Sequence, residues 1–402
     1  MDRTMRFSAV LVKNGEKVSS LLDTLESQKE YIEELIATFD IASITTRIDD
    51  AKNLASNLNE ALKKAKSDYV LLLGGDIELE DETLEEFAEV AQEYPDADII
   101  YPNEVFIAGE EEHIKNYDDW YGKEQLLLPS LALEDYLPQW AVLVKKETIQ
   151  KLGGFDPKYG EHAWYAFIYK NLGNLRLKLS DLSFVNHYLS ETFVDTSYRS
   201  LLVRDIVAQH PPQEIFTSLD WSNEPVALAT AYTMVGDRLA KYFDYFNASD
   251  FYRKALMSFH NQETLRRLME AYYQMGLFDE ALKTLRTQDA TAQLVEEYEE
   301  KIEKTKQLIA QLEKLVQNGK AGEVLAASND ISQFYQGAPI YNILGVIMAL
   351  KGEKENAYRF LYKAATINPL ERDILENIAH IAKELGKEED VAALYTRMTQ
   401  QG

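Results

Sequence analysis

SDYVLLLGGDIEL, Ser67 to Leu79, is the stretch on which the fold turns. The run Tyr69 to Leu73 is wholly apolar and has the length of a strand buried on both faces. It ends at Gly74 and Gly75, followed by the carboxylate of Asp76 and then Glu78. In open α/β sheets ligands lie beyond the carboxyl ends of the strands, and glycine there lets another group approach the backbone. The pattern therefore places a phosphorylated ligand, or its metal ion, at Asp76. An ordinary strand end leading into an acidic turn uses the same residues.

The flanking sequence alternates in the same way. Phe7 to Val12 is apolar and stops at the turn signal Lys13-Asn14-Gly15-Glu16, after which Val18 to Leu25 has helical periodicity. Leu35–Phe39 and Ile41–Thr45 are strand candidates, and Asn53–Ala65 is a helix with Leu54, Leu58, Ala61, Leu62 and Ala65 on one side. Thr83–Tyr94 is a second helix, stopped by Pro95, and Ala97–Tyr101 a further strand. This alternation, continuing to about Asn186, predicts a mixed, mostly parallel sheet with helices on both faces, a Rossmann-like α/β domain. Pro211-Pro212 breaks the chain, and the sequence beyond this pair is almost purely helical. The expected domains are 1–212 and 213–402.

The helical half repeats itself. Tyr341, Leu344, Gly345, Gly352, Ala357, Leu361, Ala364 and Pro369 fall on a frame shared by Leu265, Leu268, Tyr272, Gly276, Phe278, Ala281 and Leu285. Tyr232, Val235, Gly236, Leu239, Tyr245, Ala248, Tyr252 and Ala255 share it too, and Leu375, Ile378, Ala379, Gly386 and Tyr395 form a partial last unit. Small residues in the frame let two helices approach, and large ones fill the gap between them. The pattern resembles the tetratricopeptide repeat and predicts an all-α solenoid, with the register slipping between 286 and 336. Such solenoids present a surface to a peptide or protein, or serve as structural modules.

Composition narrows the partners. The 402 residues carry a formal charge of −25, against a grip on nucleic-acid phosphates, and contain no cysteine, in keeping with a reducing compartment. No run approaches the ~20 apolar residues of a membrane span, and the N-terminus lacks a secretory signal. The expectation is a cytoplasmic protein without membrane insertion.

In its order of elements the first half resembles the GT-A fold glycosyltransferases of the family 2-like group. Phe7 to Glu16 is similar to that family's first strand and its Asn-bearing loop. Asn59 to Leu73 is similar to the helix and strand leading to its Asp-x-Asp motif. Leu152-Gly153-Gly154-Phe155-Asp156 and Gly160-Glu161-His162 resemble the acceptor-side Gly-Gly-Phe-Asp and Glu-Asp elements. The resemblance implies an inverting, metal-dependent transferase with a nucleotide-sugar donor, UDP-linked. Val12, Asn14, Glu16, Asp40, Asn59, Gly75 and Asp76 would border the donor. Asp76 and His187 would hold Mn²⁺ or Mg²⁺, and Glu161 or His162 would take the proton of the acceptor hydroxyl. Trp140 and Trp164 are candidates for an acceptor groove, or for core.

Two departures stand out: Gly74 replaces the first carboxylate of Asp-x-Asp, and His162 the second residue of Glu-Asp. The pairing of a transferase with repeats resembles bacterial flagellin-modifying enzymes and implies Ser or Thr hydroxyls of a protein acceptor, flagellin among them, recruited by the repeats. A cell-surface polysaccharide transferase and a non-catalytic adaptor are the alternatives.

Overall fold

The structure, a computed structural model, describes residues 5–13, 15–41, 44–51, 53–128, 131, 137–189 and 195–400. The chain forms two compact units, Met1–Val194 and Asp195–Gly402. The Pro211-Pro212 pair thus lies inside the second unit, after its first helix.

The first unit is built on a nine-stranded sheet. In chain order the strands are β1 (Phe7–Leu11), β2 (Ile32–Ala37), β3 (Thr46–Arg47), β4 (Tyr69–Leu73), β5 (Ile77–Leu79), β6 (Ile99–Ala108), β7 (Glu111–Lys115), β8 (Val142–Lys145) and β9 (Leu177–Tyr188). They lie in the order β3-β2-β1-β4-β8-β6-β9-β5, with β7 paired to β6. Helices α1 (Val18–Ser27), α2 (Leu54–Lys64), α3 (Thr83–Glu93), α4 (Lys146–Lys151) and α5 (Ala163–Asn171) connect them. Every residue of β4 is buried, so both faces of the sheet are covered at its centre. Burying one such Val or Leu is worth about 1.5–3 kcal/mol.

The expected sheet needs one correction. Four strand pairings are parallel (β1–β2, β1–β4, β2–β3, β6–β9) and four antiparallel (β4–β8, β5–β9, β6–β7, β6–β8), so the sheet is mixed and not mostly parallel. The helix–strand alternation is confined to the first half of this unit. Beyond α3, β6 turns straight back as β7, and β8 enters against β4. Residues 42 and 43 of the strand expected at Ile41–Thr45 lie outside the described residues; the described pairing is at Thr46–Arg47, just after the Leu35 carbonyl and N–H are met by the Thr45 N–H and hydroxyl.

A buried carboxylate ties the parallel strands together at their amino ends. Glu34 in β2 accepts from the Ser8 hydroxyl of β1 (2.9 Å) and from the Lys66 N–H (2.6 Å), with the Lys66 ammonium at 3.2 Å. Burial alone would raise its pKa; the two hydrogen bonds and the Lys66 charge outweigh that and hold it below the ordinary 4.5.

The second unit is helical throughout its described residues. It opens with α6 (Ser197–Gln209) and the short α7 (Pro212–Ile215). Helix pairs come next: α8 (Glu224–Lys241) with α9 (Tyr245–Ser258), then α10 (Gln262–Met275) with α11 (Phe278–Thr287). The 26-residue α12 (Ala292–Gln317) and the short α13 (Ala321–Ala326) and α14 (Ser328–Phe334) occupy the stretch where the repeat frame slips. Pairing resumes with α15 (Ala338–Leu350) and α16 (Lys354–Ile367), then α17 (Arg372–Leu385) and α18 (Glu388–Thr399). Two small residues of the frame, Gly236 and Gly345, lie at helix crossings. A Cβ on Gly236 would meet the Tyr252 ring at 2.5 Å, and one on Gly345 would meet Leu361 at 2.6 Å.

The last helix returns to the first. Arg397 of α18 donates to the Ser197 hydroxyl of α6, to Asp195 and to Tyr362, each at 2.9 Å. Arg204 of α6 donates to the carbonyls of Arg397 and Gln400. Beside it, fully buried Asp244 accepts from Ser200 and Asn247; burial pushes its carboxyl pKa up against the Arg204 charge and these bonds. Among the described residues no helix is long and apolar enough to cross a membrane.

Candidate functional site

The carboxyl ends of β1, β2 and β4 lie together because these strands are parallel neighbours. The loop after β1 meets the loop after β4. Asp76 Oδ1 accepts from the Glu16 N–H at 3.0 Å, and the Lys17 N–H donates to the Gly75 carbonyl at 3.0 Å. Gly15 lies flat against this turn, since a Cβ there would stand 2.3 Å from the Gly75 carbonyl carbon and 2.4 Å from Asp76 Oδ1. Among the described residues Asp76 Oδ2 has no hydrogen-bond partner. Asn14 lies outside the described residues.

The other candidates from the first half divide. Val12 is buried, and its carbonyl accepts from the Thr38 hydroxyl at 3.3 Å. Asp40, after β2, is exposed and pairs with Arg47 at 2.6 Å. Asn59 has a different employment: its side-chain amide exchanges both hydrogen bonds with the backbone of Phe155, at 2.7 and 2.8 Å. It clamps α2 to the Gly153-Gly154-Phe155 turn, and both its groups are committed there.

The acceptor-side segment comes to the same end of the sheet. Glu161 stands 3.5 Å from the Lys13 ammonium, both about half-exposed, and its carbonyl accepts from Gln139 at 2.8 Å. His162 stands at the start of α5, its ring 6.1 Å from that of Tyr165. Trp164 is buried, with its indole N–H enclosed.

Asp76 and His187 are not gathered around one point. In the β5–β9 ladder His187 is opposite Ile77, so the two share a face, while Glu78, Asn186 and Tyr188 take the other. His187 Nδ1 lies 3.2 Å from Glu104, a buried carboxylate that also accepts from the Tyr117 hydroxyl at 2.5 Å. Nor does Glu78 stand in for the missing carboxylate: it accepts from Tyr188 at 2.5 Å and lies 3.8 Å from the Lys17 ammonium. Burial would raise the Glu78 pKa, but bonds from Ser20 and Tyr188 and the Lys17 charge hold it down; the same bond pushes Tyr188 up to about 12. Among the described residues no three His, Asp or Glu side chains are grouped to hold a metal ion.

Gly74 has a cause in space. A Cβ on it would meet Cγ of Trp140 at 2.8 Å and Cδ1 at 2.9 Å. The β4–β8 register pairs Leu72 with Val142, which sets Gly74 opposite Trp140. The next residue, Ala141, has a φ of 55°, in the left-handed region that costs a non-glycine residue about 1–3 kcal/mol. Trp140 is buried, as the core alternative given for it expects, and Lys13, Lys17 and Tyr188, which lie against Glu161 and Glu78, were not singled out from the sequence. Their places depend on pairings that run antiparallel or span the sheet, and a strand's own pattern does not reveal those.

The family model of glycosyl transferase family 2 matches residues 23–144, a stretch holding β2 to β7, all but the last residue of β8, and Asp76, but not β1, Glu161, His187 or the helical unit. A search of the curated proteins finds no significant match. Among solved structures the chain is similar to TarS of S. aureus, residues 1–349, at 14% identity and a TM-score of 0.43, over 76% of this chain and 92% of that one. The same TarS fragment in complex with UDP-GlcNAc gives 14% identity and a TM-score of 0.42 over 76% and 92%. Likeness at this level carries nothing about the chemistry of this chain.

Proposed function

We propose that this chain is a glycosyltransferase that moves a sugar from a UDP-linked donor to an acceptor hydroxyl. The observation that carries the reading is the match of residues 23–144 to glycosyl transferase family 2, a stretch that holds β2, β4 and Asp76. The donor diphosphate lies beside Asp76 and the backbone of residues 15–17. Of the two candidate bases Glu161 is the better placed, its carboxylate half-exposed beside Lys13. It takes the proton of the acceptor hydroxyl as that oxygen bonds to the anomeric carbon and the bond from that carbon to the diphosphate breaks, with inversion.

Mg²⁺ and Mn²⁺ accept one protein carboxylate together with substrate phosphates, so Asp76 Oδ2 would hold such an ion without His187 and neutralise charge on the leaving diphosphate. In this reading the helical unit, with its paired helices of tetratricopeptide type, receives a protein acceptor, flagellin being the one the resemblance implies. A second reading, a module that binds a nucleotide without turnover, is favoured by Gly74 in place of a carboxylate.

One assay separates them: nucleotide release from a panel of nucleotide sugars, with a thermal shift on each. Asp76→Asn should reduce release by about a hundredfold or more while leaving the melting temperature in place. Binding without release in the wild type supports the module, and retained release in Asp76→Asn removes Asp76 from the site.

A further inference from the structure

We infer that the cavity between α6 and α9 of the helical unit is a binding site for a short acidic peptide segment, gripped by a carboxylate, a backbone N–H and an apolar side chain. The inference deepens the reading of this unit as the part that receives the acceptor, and rests on that reading only for the choice of a protein partner. The cavity lies wholly inside the second unit and holds about 380 Å³, within the ~300–1,000 Å³ of ligand pockets generally. Helical periodicity builds its longest wall: Asn247, Asp250, Phe251 and Lys254 stand at i, i+3, i+4 and i+7 of α9 and so share one face. Arg204 and Ala208 of α6, Pro212 of α7 and Tyr232 of α8 line it from the other sides.

The charges of this lining do not cancel. Arg204 is buried; its guanidinium donates to the carbonyls of Arg397 and Gln400 and lies 3.8 Å from Asp244, so its charge is met from behind. Asp250 is paired with Arg253. Lys254 is exposed and has no carboxylate partner among the described residues; its ammonium rests 4.7 Å from the centre of the Phe251 ring. One cation is therefore left over, in a chain of net charge −25, and it suits an anionic group. Two polar groups are open as well. The side-chain NH₂ of Asn247 is committed to Asp244 and to the Met398 carbonyl, whereas its Oδ1 accepts nothing from the described residues. The Tyr232 hydroxyl has no protein partner among them either, and its ring, 6.1 Å from that of Phe251, forms an apolar side with Phe251 and Pro212. A carboxylate at Lys254, an N–H at Asn247 and an apolar side chain against the rings are the parts of two adjacent peptide residues. A free organic acid lacks the second of them.

The test is fluorescence anisotropy on the full chain with labelled octapeptides that carry one glutamate beside one leucine in a glycine and serine background. The controls are the same peptides with glutamine in place of glutamate. The glutamate peptide should bind about tenfold more tightly than its control, the ratio expected of one charge-assisted hydrogen bond. Lys254→Gln should bring the two together, and Lys254→Arg should restore most of the difference. Ala208→Glu sets a like charge into the lining and should weaken the glutamate peptide alone by about fivefold. Both positions are exposed, so the circular dichroism of these variants should match the wild type. Glutamate and glutamine peptides that bind equally or not at all, or a preference that survives Lys254→Gln, overturn the inference. So does free glutarate binding as tightly as the peptide, since the cavity then serves a small acid and not a protein. A wild type that binds no nucleotide sugar overturns the transferase reading and leaves peptide binding standing.

Discussion

The two units spend their glycines differently. Gly345 leaves room for Leu361 of the following helix, sixteen residues along a helical hairpin, and Gly236 does the same for Tyr252. Gly74 leaves room for Trp140, which arrives from a strand far along the chain, and Gly15 for the turn at Asp76. In the helical unit the empty space is consumed by packing, and the same small residue recurs with the repeat. In the sheet unit the space borders the candidate site, and nothing periodic announces it. The difference separates glycines that a local repeat announces from glycines whose neighbour is brought in only by the pairing of distant strands.

The sharpest way to break that contrast is to fill the helical space. Gly345→Leu places a side chain where Leu361 already stands at 2.6 Å from the first added carbon. Overpacking of this kind costs about 1–3 kcal/mol, beyond the roughly 1 kcal/mol that replacing a mid-helix glycine would return. The expected result is a lower urea midpoint, read by far-ultraviolet circular dichroism, which the helical unit dominates, with donor binding unchanged. Weakened nucleotide binding in this variant would mean that the two uses of glycine are not separate.

How much of this was legible depends on range. Tyr69–Leu73 is a strand to the residue, because a continuous apolar run admits little else of that length. The helix pairs of the second unit were legible for the same local reason: the frame residues Val235, Leu268, Leu344 and Ile378 are all buried. The twelve-residue β9 was missed. Its sequence LKLSDLSFVNHY breaks alternation at Asp181, where the ladder with β6 also shifts register. Asn59 was expected at the donor because of its place in an ordered series, yet its amide is taken up by Phe155, a partner the sequence does not point to. Asp76 sits at the expected strand end; that its neighbour Gly74 answers to an indole could be known only once β8 was seen to pair with β4.

A smaller effect contrasts two carboxylates of the sheet unit. Glu34 is buried and fully engaged, whereas Asp76 keeps one oxygen without a protein partner among the described residues. Glu34→Gln leaves charged hydrogen bonds incomplete and should cost about 2 kcal/mol near neutral pH. The folded pKa of Glu34 lies below the ordinary 4.5, so the ionised form is favoured by folding. Its contribution is therefore present above that ordinary value and is lost as pH falls through the lower, folded one. Urea midpoints from tryptophan fluorescence, three of the four tryptophans being in this unit, should differ between wild type and variant at pH 7 and converge in acid. A gap that persists unchanged to the lowest pH would assign it to packing and not to charge.

The smallest expected effect on stability belongs to an exposed carboxylate at the same end of the sheet. Asp40 is almost fully exposed, and its ion pair with Arg47 is of the solvent-facing kind, worth about 0–1 kcal/mol. Asp40→Ala should move the unfolding midpoint hardly at all. If the base of a bound nucleotide lies toward β2, the same substitution weakens the bare nucleotide and its sugar conjugate alike. Equal losses for the two ligands would place the base at this end of the edge. Asp40→Ala acting on the conjugate alone would put the sugar, and not the base, toward β2.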